Sequence, residues 1–171
     1  MALSSRRALN AAGLLVCLGL LGYAWYAQVQ LGLTPCPLCI FQRVGIAACG
    51  ALFLLAVLQN PGNGGARVYG ALLIVAGLIC AGVSTRHIWI QHQPEGSVQA
   101  CGASLNYMLE VFPLADVIRK VLTGSGECAR VSWTFLGLSM PGWVLIAALG
   151  LAAFGGWVNF APRSRQQIAQ Q

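Results

Sequence analysis

The sequence predicts an all-α membrane protein, a four-helix transmembrane bundle with two outward loops and a short amphipathic interfacial helix in the second loop. Three observations predict it. The 171 residues are 57% hydrophobic and 8% charged, with a mean hydropathy of +0.71, whereas a water-soluble domain carries about 25% charged residues. The apolar residues are gathered into four runs. The links between those runs are sorted by charge.

A spanning helix needs about 20 mainly apolar residues, with a range of about 17–25. The first span is 11–29, Ala11 to Val29, with no charged residue. Arg6 and Arg7 ahead of it also suit a cleaved signal peptide. The stretch is long for one, however, and Ala24-Trp25-Tyr26-Ala27 is not a small-x-small cleavage site. Trp25 and Tyr26 suit an interfacial aromatic belt, so the helix is read as uncleaved. The second span, 40–58, reaches full length only if Ile40–Arg43 joins the run Val44–Leu58, with Arg43 snorkelling to the interface. Gln59–Gly65 reads as a plain turn. The third span is 68–85. The fourth is 138–160, within an apolar stretch that begins near Phe135. Together, 1–171 make a single integral membrane domain.

Charge sets the orientation. Arg6, Arg7, Arg67, Arg163 and Arg165 occupy the termini and the link between the second and third spans, with no acid among them. All four acids, Glu95, Glu110, Asp116 and Glu127, lie between the third and fourth spans, beside Arg86, Arg119, Lys120 and Arg130. The positive-inside rule places both termini in the cytoplasm and the loops 30–39 and 86–137 outside. The net charge of +6 therefore reports topology and calls for no nucleic acid.

The first outward loop holds Cys36-Pro37-Leu38-Cys39. Pro37 removes a backbone donor and fixes a torsion between the two sulfurs. The second loop, about fifty residues, exceeds ordinary connections. Within it Leu114, Val117, Ile118, Val121 and Leu122 follow helical spacing, with Asp116, Arg119 and Lys120 opposite. That pattern suits a helix lying on the membrane surface; packing on another protein element is the alternative. Gly102 follows Cys101 and Gly124-Ser125-Gly126 precedes Cys128, which puts this second pair on mobile backbone. Taken alone, that pair reads more readily as a static staple closing the intervening loop.

A C-x-x-C at a membrane surface with a second pair in a facing loop suits disulfide exchange. The attacking sulfur must be ionised and the leaving sulfur must tolerate charge. Cys39 opens the second helix, where the helix dipole favours a thiolate, and Arg43 lies one turn on, on the same face. Arginine keeps its charge, so Arg43 could hold a thiolate or an anionic acceptor; a snorkelling anchor is the plain alternative. His87 follows the third span beside Arg86, and His92 is the weaker candidate. A zinc site from Cys36, Cys39, His87 and His92 is allowed by ligand type but leaves Cys101 and Cys128 without a purpose, so no metal is expected. Cys17, Cys49 and Cys80 lie inside spans and read as small buried hydrophobes. The chain has no P-loop, GxGxxG, HExxH, paired-carboxylate site or haem attachment motif. Electrons leaving the thiols thus point to a lipid-soluble acceptor, a quinone.

The run Pro35-Cys36-Pro37-Leu38-Cys39-Ile40-Phe41-Gln42-Arg43 resembles the signature of the disulfide bond formation protein B (DsbB) family. Gly126-Glu127-Cys128-Ala129 and Trp133-Thr134-Phe135-Leu136-Gly137-Leu138-Ser139-Met140-Pro141 are similar to the end of that family's second loop. The family comprises bacterial inner-membrane enzymes that reoxidise a periplasmic thioredoxin-fold dithiol oxidase (DsbA-like) and reduce a membrane quinone. The resemblance implies a relay. Cys101, bonded to Cys128, is attacked by the partner. Cys128 and Cys36 then pair across the loops, and Cys39 is released as a thiolate in charge-transfer contact with the quinone, supported by Arg43. His87 matches a quinone-pocket histidine, and Ile90 and Gln91 are further candidates for that pocket. Ubiquinone is favoured over menaquinone. A family relative serving a dedicated partner is the nearest alternative reading, and a structural or metal-binding membrane protein is the more distant one. Gln42 and Pro37 depart from the pattern of some members, and both positions could shift potential or rate.

Overall fold

The computed structural model describes residues 6–93, 110, 111, 113–123, 126–129, 131 and 133–161. Four long helices dominate it: α1 (Arg6–Gln30), α2 (Pro37–Gln59), α3 (Asn63–Gln91) and, last in the chain, α6 (Met140–Phe160). Each is long and apolar enough to cross a membrane. Between α3 and α6 lie α4 (Leu114–Thr123), the single turn α5 (Gly126–Ala129), and the two-residue strands β1 (Thr134–Phe135) and β2 (Leu138–Ser139). The architecture is the all-α four-helix membrane bundle expected from the runs of apolar residues.

The first three spans run beyond their hydropathy limits at both ends, because backbone hydrogen bonding continues until a breaker intervenes. The expected turn at Gln59–Gly65 shrinks to Asn60–Gly62. Asn60 adopts a left-handed conformation (φ 39°, ψ 56°) and its N–H closes α2 on the Ala56 carbonyl. Pro61 cannot extend that helix. The Gly62 carbonyl then accepts from Ala66 N at 2.9 Å, and Asn63, Gly64 and Gly65 are already helical. At its other end α3 passes Thr85 by six residues, which carries His87, Ile90 and Gln91 on helix rather than loop. The fourth span starts at Met140, not 138. Thr134 pairs with Ser139 and Phe135 with Leu138 across Leu136 (φ 52°) and Gly137 (φ 79°). Two consecutive positive φ values make the turn that suits a tight hairpin.

The bundle packs α3 mainly against α6, α1 against α2, and α2 against α3. Cys17, Cys49 and Cys80 are fully buried among Ile46, Phe53 and Leu73 in the central core. Large apolar side chains such as Leu15, Val44, Ile79 and Ile146 point outward, as a lipid-facing surface requires. One end of the bundle is closed by polar contacts. The buried amides of Asn10 and Asn159 bond reciprocally at 3.0 and 3.3 Å, and Arg6 donates to Asn63 Oδ1 and the Ala161 carbonyl. The other end carries the C-x-x-C. There α4 turns Val117 and Val121 onto Leu38, Ile90, Cys36 and Cys128, so part of its apolar face packs on protein rather than on a membrane surface. Ile118 remains exposed.

Candidate functional site

The site is assembled at the start of α2. Cys36 is the N-cap, with extended backbone, and Pro37 occupies the first helical position, where a missing N–H costs nothing. Cys36 Sγ accepts from Cys39 N at 3.3 Å and lies 2.9 Å from Cys39 Sγ. The tight turn imposed by the cap thus holds the two sulfurs together. Cys36 is buried and Cys39 half-buried.

Two elements distant in sequence converge on Cys36. His87, on the inner face of α3 and buried, brings Nε2 to 3.7 Å from its sulfur. Cys128, on α5 and also buried, places its sulfur within 4.8 Å of both Cys36 Sγ and a ring nitrogen of His87. Hydrogen bonding to the Cys128 and Cys39 sulfurs, then burial, holds the Cys36 thiol well above the ordinary thiol range. Gln42, one turn beyond Cys39 and buried, contacts the far ring nitrogen of His87 at 3.4 Å. Arg43 reaches back across the loop to α1, donating to Gln28 Oε1 at 2.6 Å and to the Ala24 carbonyl at 3.1 Å.

Beside this cluster opens a cavity of about 660 Å³ between α1, α2, α6 and the hairpin. Cys36, Cys39, Gln42, Arg43, His87 and Gln91 supply its sulfur and polar lining. One wall is aromatic. Trp133 stacks on Phe135 and meets Tyr23, while Phe135 meets Trp143, whose indole N–H donates to the Phe135 carbonyl. Gln91 is held by a 2.8 Å bond from Ser139 Oγ, which ties α3 to the hairpin.

A family model for Disulfide bond formation protein DsbB matches residues 6–158. The chain belongs to the DsbB family. It is 50% identical over 142 residues to Disulfide bond formation protein B of Chromobacterium violaceum, covering 83% of this chain and 86% of that one. The protein of the same name from Methylococcus capsulatus is 47% identical over 154 residues, covering 90% and 94%. That from Xanthomonas campestris is 43% identical over 157 residues, covering 91% of each chain. The protein is thus a multi-pass membrane protein of a family named for disulfide bond formation.

Of the residues that the sequence singled out in this DsbB-family chain, Cys36, Cys39, Arg43, His87 and Gln91 meet at one cavity, and Cys128 joins Cys36 behind it. Ile90 does not line the cavity. It packs instead among Cys36, Leu38, Val117, Val121 and Cys128, behind the cavity wall. His92 is exposed and bonded to the Ile88 carbonyl through Nδ1. Cys101 lies outside the described residues. Two features escaped the sequence reading, the Gln42 contact to His87 and the aromatic wall. A polar residue one turn after Cys39, on the buried face of an apolar helix, is the signal for the first. The Trp133-x-Phe135 pair before a Leu-Gly turn is the signal for the second.

Proposed function

We propose that the protein is a thiol:quinone oxidoreductase of the bacterial inner membrane, with cytoplasmic termini and periplasmic cysteines. It reoxidises a DsbA-like thioredoxin-fold dithiol oxidase and so supports disulfide formation in periplasmic proteins. One observation carries this reading: Cys36 stands within exchange reach of Cys39 on one side and Cys128 on the other, and Cys39 opens onto the cavity.

The cavity fits a quinone. Its volume falls within the range of about 300–1,000 Å³ typical of small-molecule sites, and its lining is mostly apolar and aromatic, with polar groups gathered near Cys39. Arg43, His87 and Gln91 are the residues that would hold the ring oxygens. A bound quinone supplies a sink for two electrons and two protons.

The chain's own residues do the rest. The partner's thiolate attacks Cys101 of a Cys101–Cys128 disulfide, and the Cys128 thiolate leaves. Cys128 then attacks Cys36 of a Cys36–Cys39 disulfide and releases Cys39 as a thiolate facing the cavity. His87 Nε2, 3.7 Å from Cys36, can take or return a proton as that sulfur changes partner. Arg43, fixed to α1 by two hydrogen bonds, keeps a permanent positive charge beside Cys39. The partner's second thiol displaces Cys101 and leaves the partner oxidised. Cys101 attacks Cys128, re-forming their disulfide and freeing Cys36. Closure of the Cys36–Cys39 disulfide would then deliver two electrons and two protons to the quinone.

The test is anaerobic mixing of the purified protein with a reduced DsbA-like partner and a soluble ubiquinone analogue, following quinone absorbance and free thiols together. Equal loss of both is expected, with Cys39→Ser abolishing quinone reduction. Arg43→Lys, which cannot reproduce the planar fork, should raise KM for the quinone about tenfold or more. Quinone reduction that survives Cys39→Ser would overturn the relay order. Activity only with some other dithiol protein would point to the dedicated-partner alternative.

A further inference from the structure

The same geometry that lets sulfurs exchange also makes a ligand set. Cys36 Sγ, Cys128 Sγ and a ring nitrogen of His87 all lie within 4.8 Å of one another, and all three side chains are buried. Two sulfurs and one imidazole are the donors that thiophilic cations prefer. Bond lengths of about 2.3 Å to sulfur and 2.0–2.1 Å to nitrogen around a tetrahedral ion separate the donors by about 3.5–3.8 Å. The observed Cys36 to His87 separation is 3.7 Å.

We propose that the reduced protein binds one thiophilic divalent cation, with Zn²⁺ as the reference member, through Cys36, His87 and Cys128, and that the bound ion locks the relay. The set differs from the one the sequence allowed. His92 turns away to the Ile88 carbonyl, and Cys128 takes its place. Cys39 stands outside this set, although its sulfur is 2.9 Å from that of Cys36.

Three further features fit such a site. The imidazole has a supporting partner, since Gln42 meets its far nitrogen at 3.4 Å. The amide can turn its carbonyl to Nδ1–H, which leaves the Nε2 lone pair for the ion, and such outer contacts orient metal-binding histidines generally. An entry path exists, because Cys36 and His87 border the cavity. The site is also gated by redox state. Binding converts two thiols to thiolates and releases two protons, whereas sulfurs in disulfides have no thiolate to offer. No electrons are transferred. Zinc would therefore hold only the reduced protein, the form that accumulates when the electron acceptor runs short, and would occupy both sulfurs that must exchange. The proposal needs reduced thiols and does not depend on the acceptor being a quinone.

Co²⁺ is the spectroscopic probe. Added without oxygen to the reduced full-length protein in detergent, it should bind one equivalent per chain. A sulfur-to-cobalt charge-transfer band and the intense visible bands of tetrahedral cobalt should appear, and Zn²⁺ should displace them. Protein with both disulfides formed should show no band, a comparison that needs no substitution. A Cys17→Ala, Cys49→Ala, Cys80→Ala triple variant should keep the band, and Cys128→Ser and His87→Gln should lose or greatly weaken it. Gln42→Ala should weaken binding by about 10–100-fold. No band in the reduced wild type, or an unchanged band in both Cys128→Ser and His87→Gln, overturns the site. In a separate arm, Zn²⁺ should block dithiol oxidation by pre-reduced protein and a chelator should restore it. Full turnover with Zn²⁺ bound overturns the lock.

Discussion

Cys36 holds three roles in one atom. Its sulfur caps α2 through Cys39 N, sits 2.9 Å from Cys39 Sγ, and faces His87 and Cys128. Its S–H donates to the Cys128 and Cys39 sulfurs, which favours the protonated form, and burial disfavours the thiolate, so both push its pKa upward. An upward shift means less thiolate at every pH. Alkylation of Cys36 in the reduced protein, followed by mass spectrometry, should therefore be slow near pH 8. It should still be accelerating well above the ordinary thiol pKa of about 8.5. Cys128→Ala removes the largest cause and should move the profile to lower pH; a wild-type plateau at the ordinary value would refute the hydrogen-bonded thiol. By linkage the shift also stabilises the reduced fold below about pH 8.5, and that contribution is lost as pH rises toward the folded-state pKa. At this scale the sequence was legible where residue type and spacing coincide, as in Cys36, Cys39 and Arg43. Gln42 was not, because a single polar residue in an apolar run does not reveal which neighbour its amide meets. Ile90, which the resemblance offered for the quinone pocket, packs against Val117 and Val121 of α4.

The helices owe their close approach to residues without bulk. A Cβ on Gly77 of α3 would stand 2.7 Å from Ala152 Cβ and 2.9 Å from the Ala148 carbonyl oxygen of α6. A Cβ on Gly155 would stand 2.8 Å from Leu73 Cδ1. Lipid offers helices no hydrophobic gain for meeting, so such small residues permit the packing that holds a membrane bundle. Gly77→Leu should lower the thermal midpoint in detergent, at a cost of about 1–3 kcal/mol or more from overpacking. A Cβ on Gly82, on the same helix, would meet nothing within 4 Å, so Gly82→Ala should leave the midpoint unchanged or raise it slightly. Equal losses in both would show that α3 suffers from any substitution rather than at the α6 contact. Hydropathy located all four spans but set the ends of the first three short, because it stops at the first charged or polar residue while helical hydrogen bonding does not. The hairpin at Thr134–Ser139 left no periodic trace, since two-residue strands are too short to alternate.

For the molecule as a whole, the bundle is polarised. One end is a polar lock of Arg6, Asn10, Asn63 and Asn159, and the other gathers the thiols, His87 and the cavity. Composition and charge sorting made the membrane bundle legible, because a chain with so few charges has no other way to solvate its surface. The convergence of Cys128 on Cys36 was legible only through the resemblance, since 91 intervening residues carry no local signal of that contact. The aromatic wall has an optical consequence. Trp133 and Trp143 border the cavity, whereas Trp25, Trp89 and Trp157 lie exposed on the outer surface. Quinones quench indole fluorescence on close approach. Titration with a quinone should thus give a saturating phase that removes part of the emission, followed by a linear phase as quinone dissolved in the lipid reaches the outer tryptophans. Replacing Trp133 and Trp143 with Phe should erase the first phase and spare the second, which makes the protein its own gauge of cavity occupancy.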